Sequence, residues 1–440
     1  MKKCLYGIVI VSVLFWFVSL MINPNLSWNI WVIRKELIYL TGIISFAFMS
    51  LIMLLAIRSK WLESVFGGLD KMYYLHKWAG IWAISLGAVH YLLKLSGKVL
   101  ILYFERAPRL RLGIGVSDDF FIRNRKLAES LGEWTLWFLL AALVLTLWHK
   151  FAYHLWRYTH KLMAIAFLIL VFHTVILTPS SYWSQPLGIL IGLGCLVGTG
   201  CALLSLFGLI GRKHTYRGQV LAIKTLDQYT MEITCQLNGY WQHNAGQYVF
   251  FMHDRLEGQH PFTIASADHN NNQIKLCVKA LGDYTKSLQK NIKIGDAIQV
   301  EGPYGCFDFR KKAITRQIWI AGGIGITPFL SWLESLQYDV NKEIYYIDLY
   351  YCVSNEEEAI FIEKLQRLIA TLPNFELHVQ YSKEHGYLTA DKLNIKQNAQ
   401  GDYPSIWFCG PVGFANSLKT NLSSKGYPLR LFHQEYFNMR

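Results

Sequence analysis

Charged residues are nearly absent from six stretches of this 440-residue chain: 4–22, 37–57, 78–93, 134–148, 162–177 and 187–210. The lack is confined to the first half and excludes an ordinary soluble domain there. Crossing about 30 Å of hydrocarbon takes roughly 20 residues, so the six runs read as membrane-spanning helices. Paired cysteines are missing too. The eight cysteines are scattered with no C-x-x-C pair, and none falls in a loop expected outside the membrane, which argues against disulfides and structural zinc. There is no EF-hand pattern, hence no sign of calcium control, and no internal repeat or low-complexity linker.

Basic residues, by contrast, are in excess, with a formal net charge of +13. In a chain with this many apolar runs the excess reports topology rather than nucleic acid. Lys2 and Lys3, then Arg58, Lys60 and Lys71, then Lys150, Arg157 and Lys161, then Arg212, Lys213 and Arg217 flank alternate ends of the runs. Those ends, both termini and the second half are therefore expected in the cytoplasm. Residues 96–130 conflict with this, carrying Lys98, Arg106, Arg109, Arg111, Arg123, Arg125 and Lys126 in a loop expected outside. The rule counts most over short loops and this one is longer, so the topology stands. The first run also has the basic start of a signal peptide, but Met21-Ile22-Asn23-Pro24 is a poor cleavage site, and a retained helix is expected.

Two of the apolar runs carry paired histidines, His76 with His90 and His160 with His173. An imidazole in hydrocarbon is costly and usually functional. Four of them at separations of 14 and 13 suggest axial ligands to two stacked haems; the alternative is four separate, hydrogen-bonded histidines in a bundle. Fourteen residues of helix span about 21 Å and bring His90 to within about 40° of His76, on one face. Thirteen fit worse, leaving His173 about 140° from His160 on an ideal helix. That helix is expected to be distorted, or to present its ligands from different sides. His149 and His154, between the fourth and fifth runs, read as solvated or interfacial.

The second half changes character. Alternating runs such as 219–223 and 231–235, with turn-rich 270–272 and 291–296, point to an antiparallel barrel or sandwich over 213–312. From 317, strands at 317–321, 347–353 and 405–409 alternate with helical stretches around 328–337, 356–371 and 412–425, the pattern of a parallel α/β sheet. Three motifs stand on this frame. His260-Pro261-Phe262-Thr263, preceded by Gly246-Gln247-Tyr248 and followed by Lys279 and Gly282-Asp283-Tyr284-Thr285, offers hydroxyls, amides and a basic group suited to a flavin and its phosphates. Gly322-Gly323-Ile324-Gly325-Ile326-Thr327-Pro328 follows a buried-type strand and opens a helix, where glycines let a phosphate approach. Cys409-Gly410-Pro411 ends a later strand of the same sheet, and ligands gather at such carboxyl ends.

Taken together, these motifs and the C-terminal Glu435-Tyr436-Phe437-Asn438-Met439-Arg440 resemble the NADPH oxidase and ferric reductase superfamily over essentially the whole chain. The resemblance implies a six-helix haem domain over 1–212, an FAD-binding β-barrel over 213–312 and an NAD(P)H-binding α/β domain over 313–440. It implies that His76 and His160 ligate an inner haem b and His90 and His173 an outer one; the 13-residue spacing is the superfamily's own. His260, Pro261, Phe262 and Thr263 would contact FAD, with Lys279, Gly282 and Thr285 near its phosphates. Gly322, Gly323, Gly325, Thr327, Pro328, Cys409, Gly410 and Pro411 would receive the nicotinamide nucleotide, with Cys409 and Phe437 at the reacting end and Phe437 covering the flavin ring. The implied activity is electron transfer from cytoplasmic NADPH through FAD and two haems to an acceptor at the outer face. Histidine spacing favours O2, giving superoxide; a ferric or cupric metalloreductase is the alternative. NADH is open as donor, because Glu356, Glu357 and Glu358 lie where the 2′-phosphate of NADPH is expected and only Lys383 is placed to compensate. Lys94, Arg34, Arg106, Arg109, Arg111 and Arg123 are candidates to neutralise haem propionates or attract an anionic acceptor. No nucleic-acid partner or regulatory subunit is evident, and a bacterial inner membrane is the expected location.

Overall fold

The computed structural model describes residues 2–22, 28–105, 120–148, 159–311, 314–340, 342–398 and 401–435. Arg106, Arg109, Arg111, His149, His154, Arg157 and Phe437 lie outside the described residues. Two units are resolved, 1–62 with 71–210 and 63–70 with 211–440.

Among the described residues of the first half, six segments are long and apolar enough to cross a membrane. They contain α1 (Lys2–Met21), α2 (Ile30–Ala56), α3 (Leu69–Leu100), α4 (Phe120–Leu147), α5 (Met163–Leu177) and α6 (Pro186–Leu206). Several run longer than their charge-free cores. Helix α3 continues through Lys98 and α4 already includes Arg123, Arg125 and Lys126, so much of the basic stretch expected as a loop is helical. The core of this unit joins Phe46, Phe48 and Met49 of α2, Ala79 and Ala83 of α3, Leu139 of α4, Phe167 of α5 and Cys201 of α6. The Phe46 and Phe167 rings stack at 5.7 Å.

The fifth span, Thr159–Leu177, is not one regular helix. Its helical pattern breaks for one residue at Leu162, which keeps right-handed φ −68° and ψ −14° and whose N donates to Thr159 O at 3.1 Å, before α5 resumes at Met163. This one-residue irregularity lies two residues after His160.

The second unit holds two sheets. The first is antiparallel with order β4-β3-β6-β1-β2-β5, from β1 (Thr215–Thr225), β2 (Thr230–Leu237), β3 (Tyr248–Met252), β4 (His260–Thr263), β5 (Gln273–Lys279) and β6 (Ala297–Tyr304). Helix α7 (Asp283–Asn291) follows β5. The second sheet is parallel with order β11-β10-β7-β8-β9, from β7 (Arg316–Gly322), β8 (Tyr346–Val353), β9 (Phe375–Tyr381), β10 (Ser405–Cys409) and β11 (Phe432–Gln434). Helices α8 (Thr327–Leu336), α9 (Ile362–Ile369) and α10 (Val412–Ser424) lie among its strands. One core runs through both sheets, uniting Ala245, Ala265 and Phe307 with Trp319, Phe329 and Trp332. Polar ties reinforce it. Trp332 Nε1 donates to Ala245 O at 3.2 Å, Ser331 Oγ to Ser266 O at 2.9 Å, and Ala267 N to Glu334 Oε2 at 3.1 Å. Because α8 opens at the glycine turn after β7, these ties hold that turn in a fixed relation to the antiparallel sheet.

Candidate functional site

In the membrane unit the four histidines form two facing pairs. The His76 and His160 ring centres lie 6.0 Å apart, and those of His90 and His173 lie 6.3 Å apart. Two imidazoles on opposite sides of one metal ion, each bonded at about 2.0–2.1 Å with the ring centre about 1.1 Å behind the nitrogen, lie roughly 6.3 Å apart. The pairs thus have the separation a bridging ion sets, and hydrogen bonds fix two of the rings. His90 Nδ1 lies 2.8 Å from Ile38 O and His173 Nδ1 lies 2.8 Å from Ala128 O. A carbonyl only accepts, so Nδ1 carries the proton and a neutral ring keeps its lone pair on Nε2 for a ligand. His76 has a corresponding backbone partner at Ile52. Glycines make room for these rings: a Cβ at Gly132 would meet His173 Nδ1 at 2.1 Å, and one at Gly42 would meet His90 Nδ1 at 3.0 Å.

Basic groups near the His90 and His173 pair already have partners. Arg34 donates to Leu93 O and Lys94 O at 2.9 and 2.6 Å, and Lys94 pairs with Glu133 at 3.6 Å. Glu36, which the charge-free runs passed over, is a buried carboxylate on α2 that accepts from Tyr182 Oη at 2.6 Å.

In the antiparallel sheet, His260, Pro261, Phe262 and Thr263 form β4, paired with β3. The His260 ring stacks on Tyr284 of α7 at 3.5 Å, and Phe262 lies 6.4 Å from the same ring. Thr263 Oγ1 and Tyr284 Oη are shielded from solvent with no hydrogen-bond partner among the described residues. Buried hydroxyls of that kind fit a polar ligand such as a flavin. At the start of α7, Gly282 N and Leu281 N both donate to Thr285 Oγ1 at 3.0 Å.

Gly322, Gly323 and Gly325 form the turn between β7 and α8, with Thr327 and Pro328 in the first helical turn. Gly323 has φ +57°, and a Cβ at Gly325 would strike Cys409 O at 2.3 Å. Since β10 pairs with β7 and Cys409 lies opposite Ala321, the turn carrying Gly410 and Pro411 sits directly against this one. Both turns lie at the carboxyl ends of parallel strands, where a dinucleotide binds.

Three family descriptions match in the same order. "Ferric reductase like transmembrane component" covers residues 41–171, "FAD-binding domain" covers 215–307, and "Oxidoreductase NAD-binding domain" covers 319–420. The chain has the NADPH oxidase and ferric reductase architecture. Six apolar helices and the match over 41–171 indicate an integral membrane protein, followed by FAD- and NAD-binding domains of the oxidoreductase kind. Curated relatives resemble part of it. The reductase component of phenol 2-monooxygenase from Pseudomonas sp. is 31% identical over 51% of this chain and 65% of its own length. The glycine betaine monooxygenase reductase subunit of Chromohalobacter salexigens is 27% identical over 40% of this chain and 50% of its own. The chain thus spans about half to two thirds of these relatives. A flavohemoglobin from Malassezia yamatoensis shares the fold at a TM-score of 0.51, with 12% identity over 92% of this chain and 98% of its own.

Within this oxidoreductase architecture two features differ from the sequence reading. Lys279, expected near the flavin phosphates, has its ammonium 3.0 Å from Glu358 Oε2. That hydrogen bond holds the Glu358 carboxyl below the usual carboxylate range. The second is Glu435, quoted in the C-terminal motif but given no role. It is buried just past β11, Glu435 N donates to Phe408 O at 3.3 Å, and Oε2 has no hydrogen-bond partner among the described residues. Burial, and then the Asp70 charge, push its carboxyl well above the usual range. Burial does the same to the Cys409 thiol, with the Glu435 charge adding to it. The nucleotide end of the sheet therefore carries a carboxyl and a thiol that burial both holds back from ionising. Only a Glu just past a strand that borders Cys409 hinted at this.

Proposed function

We propose that this protein moves electrons from cytoplasmic NADPH, or NADH, by way of FAD and two bis-histidine b-type haems to an acceptor at the outer face, with O2 giving superoxide as the favoured outcome. The carrying observation is the pair of imidazole separations, 6.0 and 6.3 Å, on membrane helices followed by FAD- and NAD-binding domains. Residues 1–212 would form the haem domain, 213–312 the FAD domain and 313–440 the nucleotide domain. His76 with His160 would hold the inner haem and His90 with His173 the outer one. The carbonyls of Ile38 and Ala128 fix which ring nitrogen is free. His260, Pro261, Phe262 and Thr263 would line the flavin site, with Gly282 and Thr285 presenting the amino end of α7 to its phosphates; Lys279 joins them only by leaving Glu358. Gly322, Gly323, Gly325, Thr327, Pro328, Gly410 and Pro411 would cradle the nucleotide, Cys409 would border the nicotinamide, and Phe437 would cover the flavin. Flavin and haem, when bound, supply the change from hydride to single-electron transfer. The protein supplies ligation, spacing and polarity. Basic residues at alternate helix ends support cytoplasmic termini, and we place the protein in a bacterial inner membrane.

A ferric or cupric reductase uses the same machinery, and the family description of residues 41–171 favours it. Purified protein supplied with NADPH, FAD and haem should reduce cytochrome c in a superoxide-dismutase-sensitive manner. Dismutase-insensitive reduction together with ferric-chelate reduction would replace the oxidase reading with the metalloreductase one.

A further inference from the structure

A cluster away from these sites carries ligand chemistry of its own. In the parallel register of β8 and β9, Asp348 lies opposite Glu376 and Tyr350 opposite His378. Residues two apart share a sheet face, so the four form a square on one face. The intervening Ile347, Leu349, Phe375 and Leu377 point the other way, into the main core. The His378 ring stacks on Tyr350 at 4.5 Å with 20° between planes, which sets its direction. Its Nε2 lies 3.5 Å from Asp348 Oδ1 and 3.6 Å from Glu376 Oε2. That nitrogen is shielded from solvent and makes no hydrogen bond among the described residues. Donor atoms of all three side chains fall within 4.8 Å of one another.

Those separations are longer than hydrogen bonds and fit either loose ion pairs or ligands around an ion. A hydrogen-bonded pair closes to about 2.7–3.2 Å. Two ligands on one tetrahedral ion, each bonded at about 2.0–2.2 Å, stand roughly 3.3–3.6 Å apart. The nitrogen is therefore spaced from each carboxylate as ligands are around an ion, and the two carboxylates close to within 4.8 Å of each other. We propose that Asp348, Glu376 and His378 form a site for a divalent first-row transition metal. One imidazole and two carboxylates suit Zn2+, and two carboxylate charges balance a dication. The site lies near the starts of β8 and β9, whereas the nucleotide turns stand at the carboxyl ends of the strands. It is separate from the redox machinery and independent of the proposed electron path. A bound ion fastens edge strand β9 to β8.

The test is equilibrium dialysis of the purified full-length chain in detergent against buffered free Zn2+, with metal content by mass spectrometry and thermal unfolding followed in parallel. His378→Phe keeps a ring on Tyr350 and removes the nitrogen; a second variant combines Asp348→Asn with Glu376→Gln at nearly unchanged volume. The wild type should take up one Zn2+ per chain more than either variant, with affinity at those ligands at least tenfold weaker in the variants. Its unfolding midpoint should rise with Zn2+ while theirs does not. Equal Zn2+ content in the wild type and both variants overturns the site. If His378→Phe fails to fold, the amide double variant decides by the same comparison.

Discussion

At the residue scale, His90 and His173 are each fixed at Nδ1 by a carbonyl and pressed against a glycine, which leaves the remaining nitrogen as the only ligand atom. His90→Leu and His173→Leu should therefore each lose about half the low-spin b-type absorbance of the purified protein. An unchanged spectrum in either would refute the pairing. Glu435 makes a different prediction, in pH. Its carboxyl is held well above 4.5 by burial, so its share of stability is complete below about pH 4.5, where folded and unfolded chains are both protonated. That share is lost as pH rises through the elevated folded value. Glu435→Gln cannot ionise, so the stability of the variant relative to wild type should improve from pH 5 towards 8. Parallel thermal unfolding curves across pH check this; a difference independent of pH would mean that Glu435 titrates normally.

At the element scale, Gly42 of α2 and Gly132 of α4 make room for the His90 and His173 rings to face each other. Gly132 on α4 is the tighter position, since an added methyl would lie 2.1 Å from His173 Nδ1. Gly132→Ala should push the His173 ring off its carbonyl, lower outer-haem occupancy, and cost about 1–3 kcal/mol by overpacking. Gly192→Ala on α6 meets nothing within 4 Å and should leave haem content and thermal midpoint near wild type. Equal haem loss in the two would show that Gly132 plays no special part. At the end of β8, Lys279 neutralises Glu358, and Lys383 N donates to Ser354 O at 3.0 Å beside the same strand end. The carboxylate run is thus less hostile to a 2′-phosphate than its composition suggests. Lys383→Glu should raise the KM for NADPH at least severalfold while leaving that for NADH nearly unchanged, as steady-state kinetics with the two donors would reveal. A parallel rise in both would deny Lys383 any role in discrimination.

At the scale of the whole molecule, what the sequence revealed follows from how local each signal is. Six spans were legible because hydrocarbon demands uninterrupted apolar runs, and the strands at 317–321, 347–353 and 405–409 because buried parallel strands leave equally plain runs. Strand β9 was not legible: Phe375-Glu376-Leu377-His378 alternates at an exposed edge and reads like any polar surface. The commitment of Lys279 to Glu358, and the burial of Glu435, arise between segments far apart in the chain and leave no local trace. The electron path itself is an issue of this scale, because a donor and an acceptor on opposite sides of one bilayer can be separated experimentally. In sealed proteoliposomes, NADPH added outside reaches only those molecules whose soluble half faces outward, and their acceptor end then faces the lumen. Cytochrome c trapped inside should be reduced on that addition. Superoxide dismutase trapped with it should suppress the signal, and dismutase outside should not. Reduction of external cytochrome c alone, with the lumenal pool unchanged, would show that electrons stay on the nucleotide side.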